Sequence, residues 1–263
     1  MRQALEVIVI SLLVLSSCTS TEKLSYLNNL PETTETQYFP VDVPDYKIQF
    51  RDILYITAKA MNPDGEIVDL LQGEGYGSQM RLTGGEQSHY ILGYNVDKGG
   101  YIFMPIIGKV DVAGHSLEEI RILLQKEVDK FFNNTYVECK LLSFKFTVLG
   151  EANSPGTYLN YNNYLTVLEA VGRAGGVGDF GRRDRVLVLR STEDGSKTYR
   201  INLQDKNLLT SEAYFMQPND IVIIEPVGHK IFNMNLPTIS FALTTISSLI
   251  TTTLLLINFF GNN

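Results

Sequence analysis

The C-terminal stretch constrains this chain most, because residues 231–263 contain no charged side chain. About 24 residues at 1.5 Å each make a helix of roughly 36 Å, which exceeds the bilayer's hydrocarbon core of about 30 Å. Asn235 suits a helix N-cap, and Pro237 is tolerated in a first turn. The sequence therefore predicts a transmembrane helix over residues 235–260.

Hydroxyl side chains recur along one side of that helix. At about 100° per residue, most polar residues fall in one sector of about 160°, and most large apolar residues lie opposite. A helix bordered by lipid on one face, and by water or a sister helix on the other, needs this division. The alternative is a single-pass anchor with scattered Ser and Thr, which membrane helices tolerate. The predicted pore-facing or helix-contacting residues are Ser240, Thr244, Ser247, Ser248, Thr251 and Asn258, and the predicted lipid-facing residues are Ile239, Ile246, Leu249, Ile250 and Ile257.

The N-terminus has the pattern of an export signal. Arg2 precedes an apolar run over residues 7–15, which is too short to span a bilayer but suits a signal peptide. Small residues then precede Cys18, as in a bacterial lipobox. The sequence predicts a lipoprotein signal peptide over residues 1–17 and a covalent lipid on Cys18; an ordinary secretory signal that contains a cysteine is the alternative. Residues 18–45 are polar and predict a lipidated extended tether.

Composition and motif spacing argue against several functions. The net charge is −7 without a long basic block, so nucleic acid is not an expected partner. The histidines lack metal-ligand spacing, and no catalytic set is visible. We therefore expect no catalytic residues and no bound metal, and no cofactor other than the covalent lipid. Cys139 alternates with apolar residues and is predicted to be a buried strand position; with Cys18 lipidated, no intramolecular disulfide is possible.

The remainder predicts an α+β chain with two folded domains. In residues 46–143, strands are predicted in the two short apolar runs of 46–58 and over 106–112. A helix follows, and Ser116 and Glu119 form the capping box at its start. Residues 144–227 give strands, a short helix over 165–171, a glycine-rich exit and a hairpin. The glycines follow the helix instead of preceding it, which favours helix termination over phosphate binding. The predicted buried stripe of the first helix comprises Leu117, Ile120, Leu124, Val128 and Phe131.

A tyrosine cluster in the second domain leaves two interpretations open. Tyr158, Tyr161 and Tyr164 lie close together in the sequence, near a predicted loop. Their rings could stack on sugars, or they could pack a hairpin edge.

Several short motifs stand in the two predicted domains: Val96-Asp97, Gly100-Tyr101-Ile102, Met104-Pro105, Val112-Ala113-Gly114, Leu149-Gly150-Glu151, Pro155-Gly156, Ala174-Gly175-Gly176 and Pro218-Asn219-Asp220. In this order they resemble the outer-membrane polysaccharide export (OPX, Wza-like) lipoprotein family. Residues 46–56 and 96–114 are similar to its polysaccharide-export domain, and residues 148–176 and 218–220 to its SLBB module. The family commonly has Gly before the aspartate at position 52, where this chain has Arg51, and residues 63–89 look like an insertion.

The resemblance implies a fold and an assembly. It implies a β-rich polysaccharide-export domain, a β-grasp-like SLBB domain and a C-terminal amphipathic membrane helix. It also implies a ring of identical subunits, an octamer, in the bacterial outer membrane, with most of each chain in the periplasm. Expected partners are the polysaccharide, the lipid bilayer and an inner-membrane polysaccharide copolymerase/tyrosine kinase (Wzc-like).

Three functions remain open from the sequence. The favoured one is an oligomeric translocon for capsular or exopolysaccharide. The second is a non-conducting periplasmic SLBB lipoprotein adaptor that a single-pass helix anchors. The third is a sugar-processing enzyme, which nothing in the sequence favours.

Overall fold

The structure, a computed structural model, describes residues 24–31, 33–41, 43–61, 64–71, 92–192, 195–228 and 230–261. The predicted signal peptide, Cys18 and most of the predicted insertion lie outside these residues. The chain mixes sheets and helices, as the α+β prediction required. The elements before the last helix enclose two hydrophobic clusters, and we name the stretches that contain them the first unit (residues 46–143) and the second unit (residues 144–227).

The first unit is built around one long central strand. Strand β1 pairs antiparallel with β6 along one edge and with β3 and β2 along the other. A separate hairpin joins β4 to β5, and helix α1 packs on β6. The elements are β1 (Ile53–Met61), β2 (Ile67–Asp69), β3 (Tyr94–Asn95), β4 (Tyr101–Met104), β5 (Gly108–Asp111), α1 (Leu117–Val128) and β6 (Thr135–Leu141).

Local signals predicted much of this unit but not all of it. The capping box of α1 is confirmed, since Glu119 N donates to Ser116 Oγ and Ser116 N donates to the Glu119 carboxylate. Residues 46–49 form no strand, although Ile48 is buried and bonded to Gly114 and His115. The predicted stripe was wrong at Phe131, which lies beyond the end of α1 and is exposed.

The second unit is a five-stranded sheet with one helix. The strand order is β10-β9-β11-β7-β8, and every pair is antiparallel except β11 with β7. Helix α2 begins two residues later than predicted, because Thr166 and Glu169 form its capping box. The elements are β7 (Lys145–Gly150), β8 (Gly156–Leu159), α2 (Val167–Arg173), β9 (Gly181–Thr192), β10 (Gly195–Ile201), a 3-10 helix (Lys206–Thr210) and β11 (Ile221–Pro226).

A buried ion pair ties β9 to the turn before β11. The Arg190 guanidinium donates to both carboxylate oxygens of Asp220, at 3.1 Å from Nε to Oδ1 and 2.8 Å from Nη2 to Oδ2. Arg190 is 4% exposed and Asp220 is completely buried. Burial raises the pKa of Asp220, and the Arg190 guanidinium opposes that rise. The aspartate of the Pro218-Asn219-Asp220 motif therefore has a structural role.

The last element is the helix α3 (Lys230–Gly261). It begins five residues before the predicted start at Asn235, so Pro237 lies inside the helix and not in its first turn. A proline there removes the backbone donor that would bond the carbonyl of residue 233. The apolar stretch within α3 nevertheless covers residues 235–258, close to the predicted span.

Candidate membrane helix and its attachment

Helix α3 carries a long apolar surface that nothing in the described chain covers. It is the one helix among the described residues that is long and apolar enough to cross a membrane, and none of that span is buried. Twelve of its large apolar side chains, from Leu236 to Phe260, are exposed. Each such side chain gains about 1.5–3 kcal/mol on leaving water. A free helix of this kind in water is therefore strongly disfavoured, and its surface requires lipid, sister helices or both.

The hydroxyls of α3 are bonded within the helix. Between residues 240 and 253, as the structure describes them, every hydroxyl except that of Ser248 donates to a backbone carbonyl three or four residues earlier. Thr253, which a helical wheel places among the apolar residues, is bonded in this way to Leu249. A hydroxyl whose proton is already donated costs less to place in lipid. The polar face is therefore milder than residue types alone suggest.

The residues predicted to face a pore and those predicted to face lipid all lie on α3. The positions predicted to face a pore and those predicted to face lipid are all exposed, and the helical backbone holds the two sets on different sides of α3. Ser248 lies near the middle of the polar sector and retains a free donor in the described part of the chain. The direction that each face takes in a membrane stays a prediction. Cys18 lies outside the described residues.

The base of α3 is bonded to the second unit. The Lys230 ammonium forms a salt bridge with the Glu151 carboxylate, and both side chains are at least two-thirds buried. Just before the helix, Val227 N donates to Phe180 O at 2.7 Å. Glu151 directly follows Gly150, which has φ +84° and lies so close to Ile224 that an added Cβ would be 2.2 Å from its carbonyl oxygen. The Leu149-Gly150-Glu151 motif thus positions the carboxylate that holds the helix.

Part of the predicted tether also contacts the second unit instead of extending freely. Val177 N donates to Tyr26 Oη at 3.2 Å, and the Arg183 guanidinium lies 5.6 Å from the centre of the Tyr26 ring. Leu27 N donates to Leu203 O at 3.0 Å. Asn29 bonds both the side chain of Asp205 and the backbone of the next residue. The N-terminal part of the tether, at residues 26–29, therefore packs on the second unit.

These two attachments meet on one segment, residues 177–183. Val177 and Arg183, the two ends of the segment, contact Tyr26. Phe180, which lies between them, accepts a hydrogen bond from Val227, just before α3. From position 18 to Tyr26 there are only eight residues, which reach roughly 28 Å when fully extended. A lipid on Cys18 and a membrane-inserted α3 would consequently pull the same face of the second unit towards the bilayer.

The junction between the units contains a buried carboxylate, that of Asp52, which accepts hydrogen bonds from neighbouring protein groups. Asp52 is 2% exposed. It accepts hydrogen bonds from Tyr46 Oη at 2.8 Å, Gln49 N at 2.9 Å and Ser143 Oγ at 3.0 Å. Burial raises the pKa of Asp52 and these bonds oppose the rise; burial next to Asp52 also raises the pKa of Tyr46. The network fixes the start of β1 to the connection between the units.

The other candidate groups show no reactive arrangement. Tyr158 stacks on Phe146 and donates to a backbone carbonyl, so it packs the β7–β8 hairpin. Tyr161 is 74% exposed and Tyr164 is 54% exposed, so both leave ring surface in solvent. Burial raises the pKa of Cys139 to about 12, which keeps its thiol protonated. Across the described ranges no group of three or more His, Cys, Asp or Glu side chains could hold a metal ion.

Comparisons with known proteins give two family matches. Residues 40–142 match the model described as polysaccharide biosynthesis/export protein, and residues 144–224 match the SLBB domain. The chain is also similar to two curated proteins, each named "EPS I polysaccharide export outer membrane protein EpsA". The one from Ralstonia solanacearum is 26% identical over 187 residues, which cover 69% of this chain and 48% of that protein. The one from Ralstonia nicotianae is 27% identical over 162 residues, which cover 60% and 41%. The matched region is thus less than half of each relative's length.

Proposed function

We propose that this chain, which belongs to the outer-membrane polysaccharide export family with an SLBB domain, forms an oligomeric translocon for capsular or exopolysaccharide. The family is one of export proteins, and the chain is not an enzyme. In the proposed assembly, identical subunits form a ring in the outer membrane, and the α3 helices surround the passage. The mechanism is conduction, since polymer moves through a lumen without covalent change.

The single observation that carries the proposal is the uncovered apolar surface of α3 on a family member. A helix with a dozen exposed apolar side chains requires a non-aqueous environment. Its polar stripe includes Thr244 and Thr251. This stripe can contact neighbouring copies or a passage, and so it does not need to be covered by lipid. Small hydroxyl residues also permit close approach of helices. Both features favour several α3 helices side by side.

The attachment of α3 supports a lipoprotein orientation. We infer that Cys18 carries lipid and that residues 177–183 face the outer membrane from the periplasmic side. Tyr26 of the tether and Val227, three residues before α3, both form hydrogen bonds with that segment. The first unit would then point away from the membrane, towards an inner-membrane copolymerase of the Wzc-like type. The resemblance supplies that partner and the octameric ring.

The second unit is proposed to be β-grasp-like. The sheet contains three antiparallel strand pairs and one parallel pair, β7 with β11, which includes the central strand. One short helix, α2, follows the first pair in the chain. This mixed order supports the assignment.

One observation favours the adaptor as the second candidate. The hydroxyls of α3 donate within their own helix, so the helix could stand alone in lipid at modest cost. In that arrangement the chain would anchor a periplasmic scaffold without conducting. The two candidates differ in whether purified protein forms a ring with an open lumen.

The experiment combines a deletion strain with purified protein. The translocon proposal predicts that polymer accumulates in the periplasm of the deletion strain, that the detergent-solubilised particle is a ring, and that it conducts ions in planar bilayers. A monomeric particle without conductance would overturn the translocon and favour the adaptor. Unchanged surface polymer in the deletion strain would contradict both.

A further inference from the structure

The junction between the two units encloses a cleft of about 760 Å³. Its walls come from the turn at residues 49–52, from the connection at 142–145, from the end of β9 and from the turn before β11. The volume is within the range of small-molecule sites, about 300–1,000 Å³. All residues that line it belong to the described part of the chain. The export function proposed above assigns no role to this cleft.

The charge in the cleft is opposite to that of the whole chain. Arg51 and Lys145 both line it and are exposed, whereas the protein as a whole has a net charge of −7. The one carboxylate in the lining is Asp52, whose two oxygens already accept bonds from its neighbours within the protein. The cleft therefore presents the Arg51 guanidinium to solvent without an exposed carboxylate among its lining residues.

Arg51 occupies its position at a conformational cost. It is the third residue of the turn over residues 49–52, which the bond from Asp52 N to Gln49 O closes at 3.1 Å, and its φ is +75°. A positive φ at that turn position is where glycine is the usual residue. For a residue with a Cβ, the left-handed region is strained, because the Cβ crowds the following carbonyl oxygen. Strain of this kind is found preferentially at functional sites.

The neighbours of Arg51 have the chemistry of a saccharide site. The guanidinium lies 5.1 Å from the centre of the Phe50 ring, which is 44% exposed and rises from the same turn. Ser191 and Asn219, both exposed, add a hydroxyl and an amide to the lining. Guanidinium groups bind carboxylates through paired hydrogen bonds, hydroxyl and amide groups match sugar hydroxyls, and an aromatic edge offers apolar surface.

We propose that this cleft binds an anionic saccharide segment, with Arg51 as the residue that recognises its carboxylate. The assignment rests on the proposed function and gives it a substrate class: a polymer that carries uronate-type groups. The turn over residues 49–52 presents Phe50 and Arg51 together, and the buried Asp52 holds that turn from beneath. A neutral glycan would leave the guanidinium without a partner.

The test is calorimetric titration of the full chain in detergent with two hexasaccharides. Oligogalacturonate is the anionic probe and maltohexaose is the neutral one. We expect oligogalacturonate to bind the wild type more tightly than maltohexaose does. We also expect Arg51→Gly to weaken its affinity by about tenfold or more, because a charge-assisted pair is lost. Arg51→Lys keeps the charge without the fork and should give an intermediate affinity.

Two controls separate binding from folding. Lys126→Ala removes one exposed positive charge from α1, away from the cleft lining, and should leave the affinity unchanged. Arg51→Gly should have a thermal unfolding midpoint no lower than that of the wild type, because glycine relieves the left-handed strain. Weaker binding at undiminished stability cannot then come from misfolding.

Specific outcomes overturn the proposal. Equal affinity of wild type and Arg51→Gly for oligogalacturonate would do so, as would equal binding of the two hexasaccharides. A change of oligomeric state in Arg51→Gly with unchanged saccharide affinity would instead make the cleft a contact between copies. The export function fails separately, if the deletion strain displays normal polymer at its surface, and the titration does not depend on that result.

Discussion

The buried pair of Arg190 and Asp220 gives the sharpest stability prediction. Asp220→Asn keeps the size of the side chain and removes its charge, which leaves a guanidinium that is 4% exposed without a counter-ion. Breaking a buried pair by removing one partner costs about 3–5 kcal/mol. A whole domain is stable by about 5–15 kcal/mol. The substitution should therefore remove a large fraction of the stability of the second unit.

Hydrogen–deuterium exchange measures that loss within one unit of the full chain. Because 1.4 kcal/mol corresponds to about a tenfold change, a loss of this size should make peptides from β9 and β11 exchange roughly 10²- to 4 × 10³-fold faster. Peptides from β1 and β6 should keep their wild-type rates, since the pair lies in the second unit. The double variant Arg190→Met/Asp220→Leu should recover most of the protection, because apolar replacement of both partners is often neutral or stabilising.

The matched control is an aspartate on β9, the strand that carries Arg190. Asp184 pairs with Arg182 at 2.5 Å, but the Asp184 side chain is 43% exposed. An exposed pair of this kind contributes about 0–1 kcal/mol, so Asp184→Asn should change the exchange rates by a few-fold at most. If Asp220→Asn behaved like Asp184→Asn, the reasoning from burial would be refuted.

Three further predictions follow from local geometry. Gly150→Ala should abolish stable folding of the second unit, seen as lost thermal cooperativity, because its Cβ would collide with the Ile224 carbonyl; full stability would contradict this. The folded thiol of Cys139 has a pKa raised to about 12 from 9.0, so the unfolded state releases its proton first and unfolding free energy should fall above pH 9, by up to about 1.4 kcal/mol per pH unit. Cys139→Ala should flatten that slope in urea titrations, and an unchanged slope would assign it to other groups. Glu151→Gln should raise the rate of proteolysis at the base of α3 by freeing Lys230, with little change in the unfolding midpoint; wild-type proteolysis would remove this pair from the attachment.

Local signals made part of the fold predictable. The capping box at Ser116 and Glu119 depends on residues three apart, so the sequence contains it completely. The same signal stands at Thr166 and Glu169 and could have set the start of α2 correctly. The bonds from Thr244 and its fellow hydroxyls to their own helix also follow a local rule, which the prediction of the polar face did not use.

Long-range contacts were out of reach of the sequence. The Asp52 carboxylate accepts a bond from Ser143, 91 positions away, and Tyr26 contacts Val177, 151 positions away. Neither pairing leaves a periodic or spacing signal. The cleft beside Arg51 is lined by residues of both units, so it forms only when the two units meet. The positive φ of Arg51 explains why glycine suits that position.

The two faces of α3 carry the central claim, and thiol labelling of intact cells tests them directly. In a Cys139→Ala background, Thr244→Cys and Thr251→Cys place thiols on the polar face, and Ile246→Cys and Ile250→Cys place them on the apolar face. A membrane-impermeant thiol reagent added outside the cells should label the first two variants and leave the second two unlabelled. Equal labelling of both pairs would contradict a helix that borders a passage on one side and lipid on the other.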